Sequence, residues 1–185
     1  MNESEKPSII FLTGFMGSGK STIGPILANT IGYSFVDLDL LIEQKEDRKI
    51  GDIFKQDGEP KFRELERRIL RETVRTPRTV ISLGGGTITD QTTLDLVKAT
   101  GVLIYLKANP EYIYKRLRTK SDRPMLRTPE GDLMDAEQLQ QRIDDLLTKR
   151  RDYYEQAQII IHTDDKKIGN TIDELVRSLR HHIEE

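Results

Sequence analysis

The stretch GFMGSGKST, residues 14–22, constrains the fold of this chain more than any other part of the sequence. It fits the pattern G-x-x-x-x-G-K-[ST], whose fixed positions are Gly14, Gly19, Lys20 and Ser21. Glycines let successive backbone N–H groups point into one concavity, and the lysine and a following helix N-terminus add positive charge. The residues before the loop are typical of a buried strand, and those after it are typical of a helix that ends at Gly32. This setting predicts a phosphate-binding loop rather than an ordinary glycine-rich turn.

Strand-like runs recur along the chain, at Ser8–Thr13, Tyr33–Val36, Thr79–Leu83, Val102–Leu106 and Ile159–His162. Segments with helical spacing separate them, and helix starts are indicated by Asn109-Pro110 and by Asp135, which opens a helix toward Gln156. Alternating strands and helices predict an α/β fold with a parallel sheet that helices cover on both faces. A length of 185 residues is that of one domain, residues 1–185.

Composition excludes several classes of function. A net charge of −2 with 29 Lys and Arg provides no broad positive field, which disfavours nucleic-acid binding. The absence of cysteine excludes a disulfide framework and a thiolate nucleophile. The polar start MNESEKPS has no apolar signal core, and no apolar run approaches the roughly 18 residues of a membrane span. We therefore expect a soluble, cytoplasmic protein.

Polar and glycine residues follow two of the predicted strands at the edge where open parallel sheets bind ligands. The second strand ends in FVDLD, and the strand period of two would point Asp37 and Asp39 the same way. One carboxylate could then reach a phosphate-bound Mg²⁺ and the other a substrate hydroxyl, whereas the alternative makes Asp39 only the cap of the next helix. The third strand ends in three glycines, Gly84–Gly86, which would let backbone N–H groups approach a ligand closely. The alternative there is a flexible turn.

The segment Thr119–Asp132 is unusual for a connection between secondary-structure elements. It contains two prolines, a glycine and alternating charges, and it is too polar for the core and too long for an ordinary loop. It fits either a surface loop or a basic lid that closes over bound phosphate.

These motifs together resemble those of shikimate kinases, in the expected order from Ser8 to about Arg180: GFMGSGKST, FVDLD, IGDIFKQDGEPKFRELE, SLGGG, RPML and LLTKRRDYY. The resemblance implies a three-layer P-loop kinase fold, with a five-stranded parallel sheet in the order 2-3-1-4-5 and a mobile lid over about residues 117–132. A helical region over about residues 38–75 would bind the substrate. It also implies transfer of the γ-phosphoryl group of ATP to the 3-hydroxyl of shikimate.

The resemblance assigns nucleotide-binding and metal-binding roles to particular residues. The nucleotide-binding set is Gly17, Ser18, Gly19, Lys20, Ser21, Thr22, Arg116 and Arg123. Lys20 would contact the β- and γ-phosphates, and Ser21 would ligate Mg²⁺ with Asp37 behind it through water. Arg116 would stack on adenine, and Arg123 would reach the transferring phosphoryl group from the lid. The element after the fifth strand departs from the family pattern at His162 and Ile168, while Thr163 and Asp164 match it.

The resemblance also assigns the acceptor site. Its substrate-binding residues are Asp39, Phe54, Phe62, Arg63, Gly84, Gly85, Gly86 and Arg150. Asp39 would accept from substrate hydroxyls as a base or orienting group, and the catalytic set is Asp39, Lys20 and Arg123. Arg63 and Arg150 would clamp the substrate carboxylate, although either could be an ordinary surface arginine. Phe54 and Phe62 would form apolar walls, or they could be ordinary core aromatics.

Two other functions would use some of the same residues. Another small-molecule kinase with a phosphate loop, such as a gluconate kinase, would share the cradle and lid but lack the acceptor set. A non-enzymatic guanine-nucleotide switch would need N-K-x-D and D-x-x-G elements, and neither occurs in the sequence. We expect a monomer whose partners are shikimate, ATP and Mg²⁺, with no nucleic-acid or membrane partner.

Overall fold

The computed structural model describes residues 8–118, 132 and 134–184, with side chains as far as Arg180. The elements in chain order are β1 Ile9–Thr13, α1 Lys20–Ile31, β2 Ser34–Asp37, α2 Leu38–Glu46, α3 Ile50–Thr73, β3 Thr79–Ser82, α4 Gln91–Thr100, β4 Val102–Lys107, α5 Pro110–Leu117, α6 Ala136–Tyr154, β5 Ile159–His162 and α7 Ile168–Glu184. Strands and helices thus alternate along most of the chain, as the sequence pattern predicts.

The five strands form one sheet in the order β2-β3-β1-β4-β5, and every neighbouring pair is parallel. This confirms the predicted fold and strand order. The observed bounds of β1, β3 and β4 differ from the predicted bounds by one residue at one end of the strand, and those of β5 are identical. Strand β2 is shifted by one residue along the chain and ends at Asp37. Because all strands are parallel, the segments that follow them emerge at one edge of the sheet, where ligands bind in such folds.

The central strands β1, β3 and β4 are buried on both faces, which explains why they are mostly apolar, whereas buried and exposed residues alternate along the edge strand β5. Along β1, Ile9 and Phe11 face one layer of helices and Ile10 and Leu12 face the other. The first layer is α2, α3 and α4, and its core residues include Leu38, Ile53, Ile69, Ile81 and Leu94. The second layer is α1 and α7, and its core residues include Ile23, Leu27, Ile104, Leu175 and Leu179.

A third apolar cluster joins the loop after β1 to α5 and α6. It contains Phe15, Ala108, Ile113, Leu117, Leu139 and Ile143. Helix α6 begins with a capping box, in which the Asp135 side chain accepts from the Gln138 N–H and the Gln138 side chain accepts from the Asp135 N–H. The predicted helix start at Asp135 is therefore confirmed, and the helix ends at Tyr154, two residues before the predicted end.

Helix α3 is kinked at Gly58, where φ is 78° and ψ is 168°. Only glycine adopts these angles without steric strain, and they interrupt the series of backbone hydrogen bonds of the helix. Pro60 follows within the first turn of the second half, where a missing N–H costs least. The kink divides α3 into two helical halves, one before and one after Gly58.

The predicted lid falls almost wholly outside the described residues. Of the segment 117–132, only Leu117, Arg118 and Asp132 are described, and Arg123 is not among them. In the part of the chain that is described, none of the helices combines the length and apolar character that crossing a bilayer requires.

Candidate active site

The phosphate loop lies between β1 and α1, as the sequence predicts. Gly17 and Gly19 have φ of 83° and 105°, in the region that favours glycine, so the backbone can curl as the motif requires. Helix α1 begins at Lys20, directly after the loop, and its N-terminus faces the concavity. The Lys20 Nζ donates to the carbonyl oxygens of Gly14, at 2.7 Å, and Phe15, at 3.2 Å. The ammonium group therefore lies across the loop, where phosphate oxygens can replace these carbonyls.

The other predicted nucleotide-binding residues that the structure describes lie in or beside the loop, whereas Arg123 lies outside the described residues. Ser21 and Thr22 are exposed, whereas Ser18 is fully buried, and its Oγ has no hydrogen-bond partner among the described residues. The Arg116 Nη1 donates to the Gly17 carbonyl oxygen at 2.8 Å, and its guanidinium lies 4.4 Å from the centre of the Tyr112 ring. The structure thus places Arg116 beside the loop.

Asp37, and not Asp39, caps helix α2. The Asp37 Oδ1 accepts from the backbone N–H groups of Asp39, at 3.1 Å, and Leu40, at 3.3 Å. The alternative that made Asp39 a helix cap is therefore wrong. Asp37 is thus the N-cap residue of α2, and its Oδ1 accepts both hydrogen bonds.

Asp39 is the second residue of helix α2 rather than a strand residue, so the strand-period argument for its direction was wrong. It nevertheless points to the sheet edge, because a Cβ built on Gly84 would lie 2.5 Å from its Oδ1. Burial, together with the nearby carboxylates of Glu66 and Asp37, raises the pKa of Asp39 to about 6. Lys20 and Arg63 oppose this shift without cancelling it. A carboxylate with a pKa near working pH is suited to accepting a proton.

Each of the three glycines after β3 faces one predicted substrate-binding side chain. A Cβ built on Gly84 would collide with Asp39, and one built on Gly86 would lie 2.6 Å from the Arg63 Nη2. A Cβ on Gly85 would lie 3.5 Å from the Arg150 Nη1 and 3.8 Å from the Gly14 carbonyl oxygen. The absence of side chains therefore lets Asp39, Arg63 and Arg150 converge on one loop beside the phosphate loop.

Arg63 is held by a buried carboxylate that sequence analysis missed. Its Nη1 contacts the Glu66 Oε2 at 2.7 Å, and Glu66 is only 1 % exposed. The Thr87 hydroxyl donates to the other oxygen of Glu66 at 2.6 Å. Glu66 therefore connects the arginine of α3 to the residue that follows the three glycines. The i,i+3 spacing of Arg63 and Glu66 on a helix is the signal that could have indicated the pair.

Substitution of Thr87 by valine tests this connection. Valine keeps the shape but leaves a buried Glu66 oxygen without its donor, so we expect the free energy of unfolding to fall by about 1–3 kcal/mol. Chemical denaturation measures the change. Thr92→Val, on the exposed surface of α4, is the control and should change the free energy of unfolding by less than about 0.5 kcal/mol. An equally small effect of Thr87→Val would show that Glu66 does not depend on this hydrogen bond.

Arg150 is buried at 8 % exposure, although its neighbours Lys149 and Arg151 on α6 are exposed. Tyr154, one turn further along, is fully buried, and its hydroxyl donates to the Gly85 carbonyl oxygen. Burial raises the pKa of Tyr154, while the Arg150 guanidinium opposes that shift. The phenol thus ties the end of α6 to the middle glycine, next to the arginine. Sequence analysis did not single out Tyr154.

Phe54 and Phe62 lie against each other on the two halves of α3. Their ring centres are 4.5 Å apart at an angle of 34°. Phe62 is 3 % exposed and belongs to the main core, and Phe54 is partly buried against it. The Arg63 guanidinium lies 5.2 Å from the Phe62 ring. Phe62 therefore packs beside Arg63 and is also a core residue, and Phe54 packs against Phe62.

The element after β5 lies beside the start of α5. The Asp164 Oδ1 accepts from the Asn109 N–H at 2.9 Å, and the Thr163 N–H donates to the Lys107 carbonyl oxygen at 2.9 Å. His162 ends β5 and Ile168 begins α7, and both are exposed. The two residues that match the family pattern are thus the ones that make these contacts.

Comparison with known proteins places this arrangement in a family. A sequence model of the family described as shikimate kinase matches residues 16–180. A protein from Chlorobaculum parvum named shikimate kinase is 48% identical to this chain over 176 residues, which are 95% of this chain and 94% of that protein.

Solved structures agree with the sequence comparison. A shikimate kinase from Bacteroides thetaiotaomicron has a TM-score of 0.87 and 34% identity, and the match covers 94% of this chain and 99% of the other. A shikimate kinase from Acinetobacter baumannii in complex with shikimate has a TM-score of 0.85 and 30% identity, with 96% of each chain covered. The matches extend over nearly the whole chain. The chain therefore belongs to the shikimate kinase family.

Proposed function

We propose that this chain transfers the γ-phosphoryl group of ATP to the 3-hydroxyl of shikimate, and that the residues gathered at the sheet edge divide this work. As a member of the shikimate kinase family, the chain is an ATP-dependent kinase that acts on shikimate. One observation carries the residue assignment. Asp39, Arg63 and Arg150 each face one of the three glycines after β3, and the middle glycine lies beside the phosphate loop. An acceptor bound there would lie next to a phosphoryl donor.

The phosphate loop and Lys20 are the proposed holders of the ATP phosphates. Backbone N–H groups of the loop and the α1 N-terminus favour negative charge, and Lys20 would exchange its contacts with Gly14 and Phe15 for phosphate oxygens. Arg116 would stack on adenine from its place beside Gly17. From sequence, Arg123 is the proposed contact to the transferring group, where a cation stabilises transition-state charge.

Asp39 is the proposed acceptor of the proton from the substrate hydroxyl, and it also orients that hydroxyl. Its burial and its place beside Gly84 support this role, because the carboxylate is directed to the point where the two loops meet. Arg63 and Arg150 approach the same glycine loop from α3 and α6, and two guanidinium groups suit a carboxylate. Shikimate carries both a carboxylate and hydroxyl groups, so it complements this set.

Mg²⁺ is the metal that this kinase chemistry implies, and the donors present fit it. Among the described residues, no group of three or more His, Cys, Asp or Glu side chains could hold a metal alone. Magnesium in kinases is bound by one or two protein oxygens together with substrate phosphates, so a large cluster is not required. We assign the Ser21 hydroxyl as a direct ligand and Asp37 as a contact through water. When bound, the ion would neutralise charge on the phosphates.

The raised pKa of Asp39 predicts a pH dependence. The proposed acceptor must be ionised, so activity should be lost as pH falls through about 6 and be nearly constant above 7. Between pH 7 and pH 5 we expect kcat/KM for shikimate, at saturating ATP, to fall about tenfold. Initial rates across this range measure the profile, with circular dichroism to confirm that the protein stays folded. A profile flat to pH 5 would contradict the assignment.

An acceptor comparison tests the function itself. The purified protein is incubated with ATP and Mg²⁺ and with either shikimate or gluconate, and the ADP formed is measured. We expect ADP formation that depends on shikimate, with mass spectrometry of the product showing one added phosphoryl group. ADP formation that depends on gluconate and not on shikimate would favour the rival small-molecule kinase. If neither shikimate nor gluconate increases ADP formation, both kinase functions are contradicted.

The expected cytoplasmic location and monomeric state stay predictions. Sedimentation of the purified chain at micromolar concentration would test the second of them directly.

A further inference from the structure

Phe15 stands at a variable position of the phosphate-loop motif, yet its ring lies under the arginine on α6. The Arg150 guanidinium carbon is 5.7 Å from the centre of the Phe15 ring, within the range of a cation–π contact. Phe15 is 2 % exposed and Arg150 is 8 % exposed, so little water lies between them. A contact of this kind is worth more when it is removed from solvent.

The backbone of Phe15 belongs to the nucleotide side of the site. Its carbonyl oxygen accepts from the Lys20 Nζ, which is the proposed phosphate contact. The neighbouring Gly14 carbonyl oxygen and the Arg150 Nη1 both lie within 3.8 Å of the same built Cβ on Gly85. The phosphate loop, the middle glycine and the arginine therefore meet at one point, and Phe15 is the loop side chain that reaches it.

We propose that Phe15 is a positioning residue for the substrate carboxylate, acting through Arg150. This proposal rests on the proposed function, because it assigns Arg150 to shikimate. The electron-rich face of the ring holds the guanidinium in one plane, and the planar fork of arginine binds a carboxylate well only in the right orientation. The Tyr154 hydroxyl donates to the Gly85 carbonyl oxygen and also lies beside the Arg150 guanidinium. Phe15 thus sets the direction in which Arg150 presents its donors.

Phe15 also packs in the apolar cluster between α5 and α6, so its substitution needs a design that separates packing from positioning. Leucine keeps an apolar side chain but removes the ring face. We expect Phe15→Leu to lower kcat/KM for shikimate by about 3- to 20-fold, the range of a partly desolvated cation–π contact. The KM for ATP should change less than about twofold, because the loop backbone and Lys20 remain. The control is Phe35→Leu, which changes a partly buried ring of β2 that packs in the core cluster of α1 and α7 and should leave both constants unchanged.

A double-mutant cycle with Arg150→Ala distinguishes positioning from general destabilisation. If the ring acts through the arginine, Phe15→Leu should lower kcat/KM for shikimate by less than about 1.5-fold once Arg150 is alanine. Initial slopes against shikimate concentration give these values without saturation. Should Phe15→Leu fail to fold, Phe15→Met, which fills more of the cavity, takes its place in the same cycle.

The outcomes separate this proposal from the function on which it rests. Unchanged kcat/KM for shikimate in Phe15→Leu, or the same loss with and without Arg150, would overturn the positioning role while the wild-type activity stands. A wild-type protein that forms no shikimate-dependent ADP would overturn both. A loss confined to the Arg150-containing protein, with the ATP constant preserved, supports the proposal.

Discussion

Asp39→Asn is expected to lower turnover by at least about 10²-fold while ATP binding stays near that of the wild type. Asparagine keeps the size and one acceptor oxygen of the side chain but has neither its charge nor its basicity. A positioned acid–base group contributes about 10²- to 10⁴-fold to a rate, which sets the lower bound of the expected loss. The shikimate affinity should change less than the turnover, because Arg63 and Arg150, the arginines proposed to bind its carboxylate, are untouched.

The same substitution should stabilise the ligand-free fold. The pKa of Asp39 lies near 6 in the folded protein and near 3.8 when exposed, so folding favours the protonated form. The cost of burying the charged form therefore appears as pH rises from about 4 to 6 and persists at neutral pH. Two pKa units correspond to about 3 kcal/mol, which is an upper bound on the gain in free energy of unfolding.

Turnover and thermal unfolding of the two proteins test both expectations at pH 7.5. A variant that keeps more than about a tenth of wild-type turnover at saturating substrates would remove Asp39 from the chemistry. Loss of turnover together with a lower melting temperature would show instead that the carboxylate supports the fold.

Arg150→Ala is expected to weaken shikimate binding by about 10- to 150-fold, the equivalent of a charge-assisted hydrogen bond of about 1.5–3 kcal/mol. The nucleotide affinity should be nearly unchanged, because Arg150 faces Gly85 and the Phe15 ring rather than the α1 N-terminus. Calorimetric titration with shikimate and with ADP measures the two separately. Arg151→Ala removes an exposed arginine one residue away and is the matched control. Equal losses of shikimate and ADP binding would mean that Arg150 supports the nucleotide site or the fold.

Arg63→Ala should weaken shikimate binding by a similar factor, but it should also destabilise the protein. Removal of the guanidinium leaves the buried Glu66 carboxylate without its ionic partner, and breaking such a pair costs about 3–5 kcal/mol. The two arginines of the clamp are therefore distinguishable by thermal unfolding, although their effects on substrate binding are alike.

Most of the fold could be predicted from the sequence because its signals are local. Buried parallel strands are continuous apolar runs, and β1, which is buried throughout, was predicted to within one residue at its start and to the residue at its end, Thr13. The capping box at Asp135 likewise uses residues three apart. The order of the strands has no such local signal, so it came from the family resemblance rather than from periodicity.

The direction of Asp39 shows where local reasoning failed. The pattern FVDLD reads as a continuing strand, but Asp37 caps a helix there, and Asp39 falls in the first helical turn. Its approach to Gly84 depends on how α2 packs against the sheet, which no short pattern specifies. Asp39 therefore lies at the predicted edge of the sheet, beside Gly84, but not for the predicted reason.

The residues that sequence analysis missed act across long separations in the chain. Thr87 and Glu66 are 21 residues apart, and Tyr154 and Gly85 are 69 residues apart, yet each pair shares a hydrogen bond. Such partners become visible only when helices α3 and α6 are docked at the same edge of the sheet.

The kink at Gly58 has a consequence for changing which acceptor fits the site. Eight residues of a straight helix rise about 12 Å, yet the rings of Phe54 and Phe62 are 4.5 Å apart across the kink. A Cβ at residue 58 would meet no atom closer than 3.7 Å, so only the backbone angle excludes other residues. The backbone angles at Gly58 thus bring together the two rings that are the proposed apolar walls of the acceptor site. An engineer who wants room for a bulkier ring-shaped acceptor should vary the backbone around residue 58 before replacing the phenylalanines.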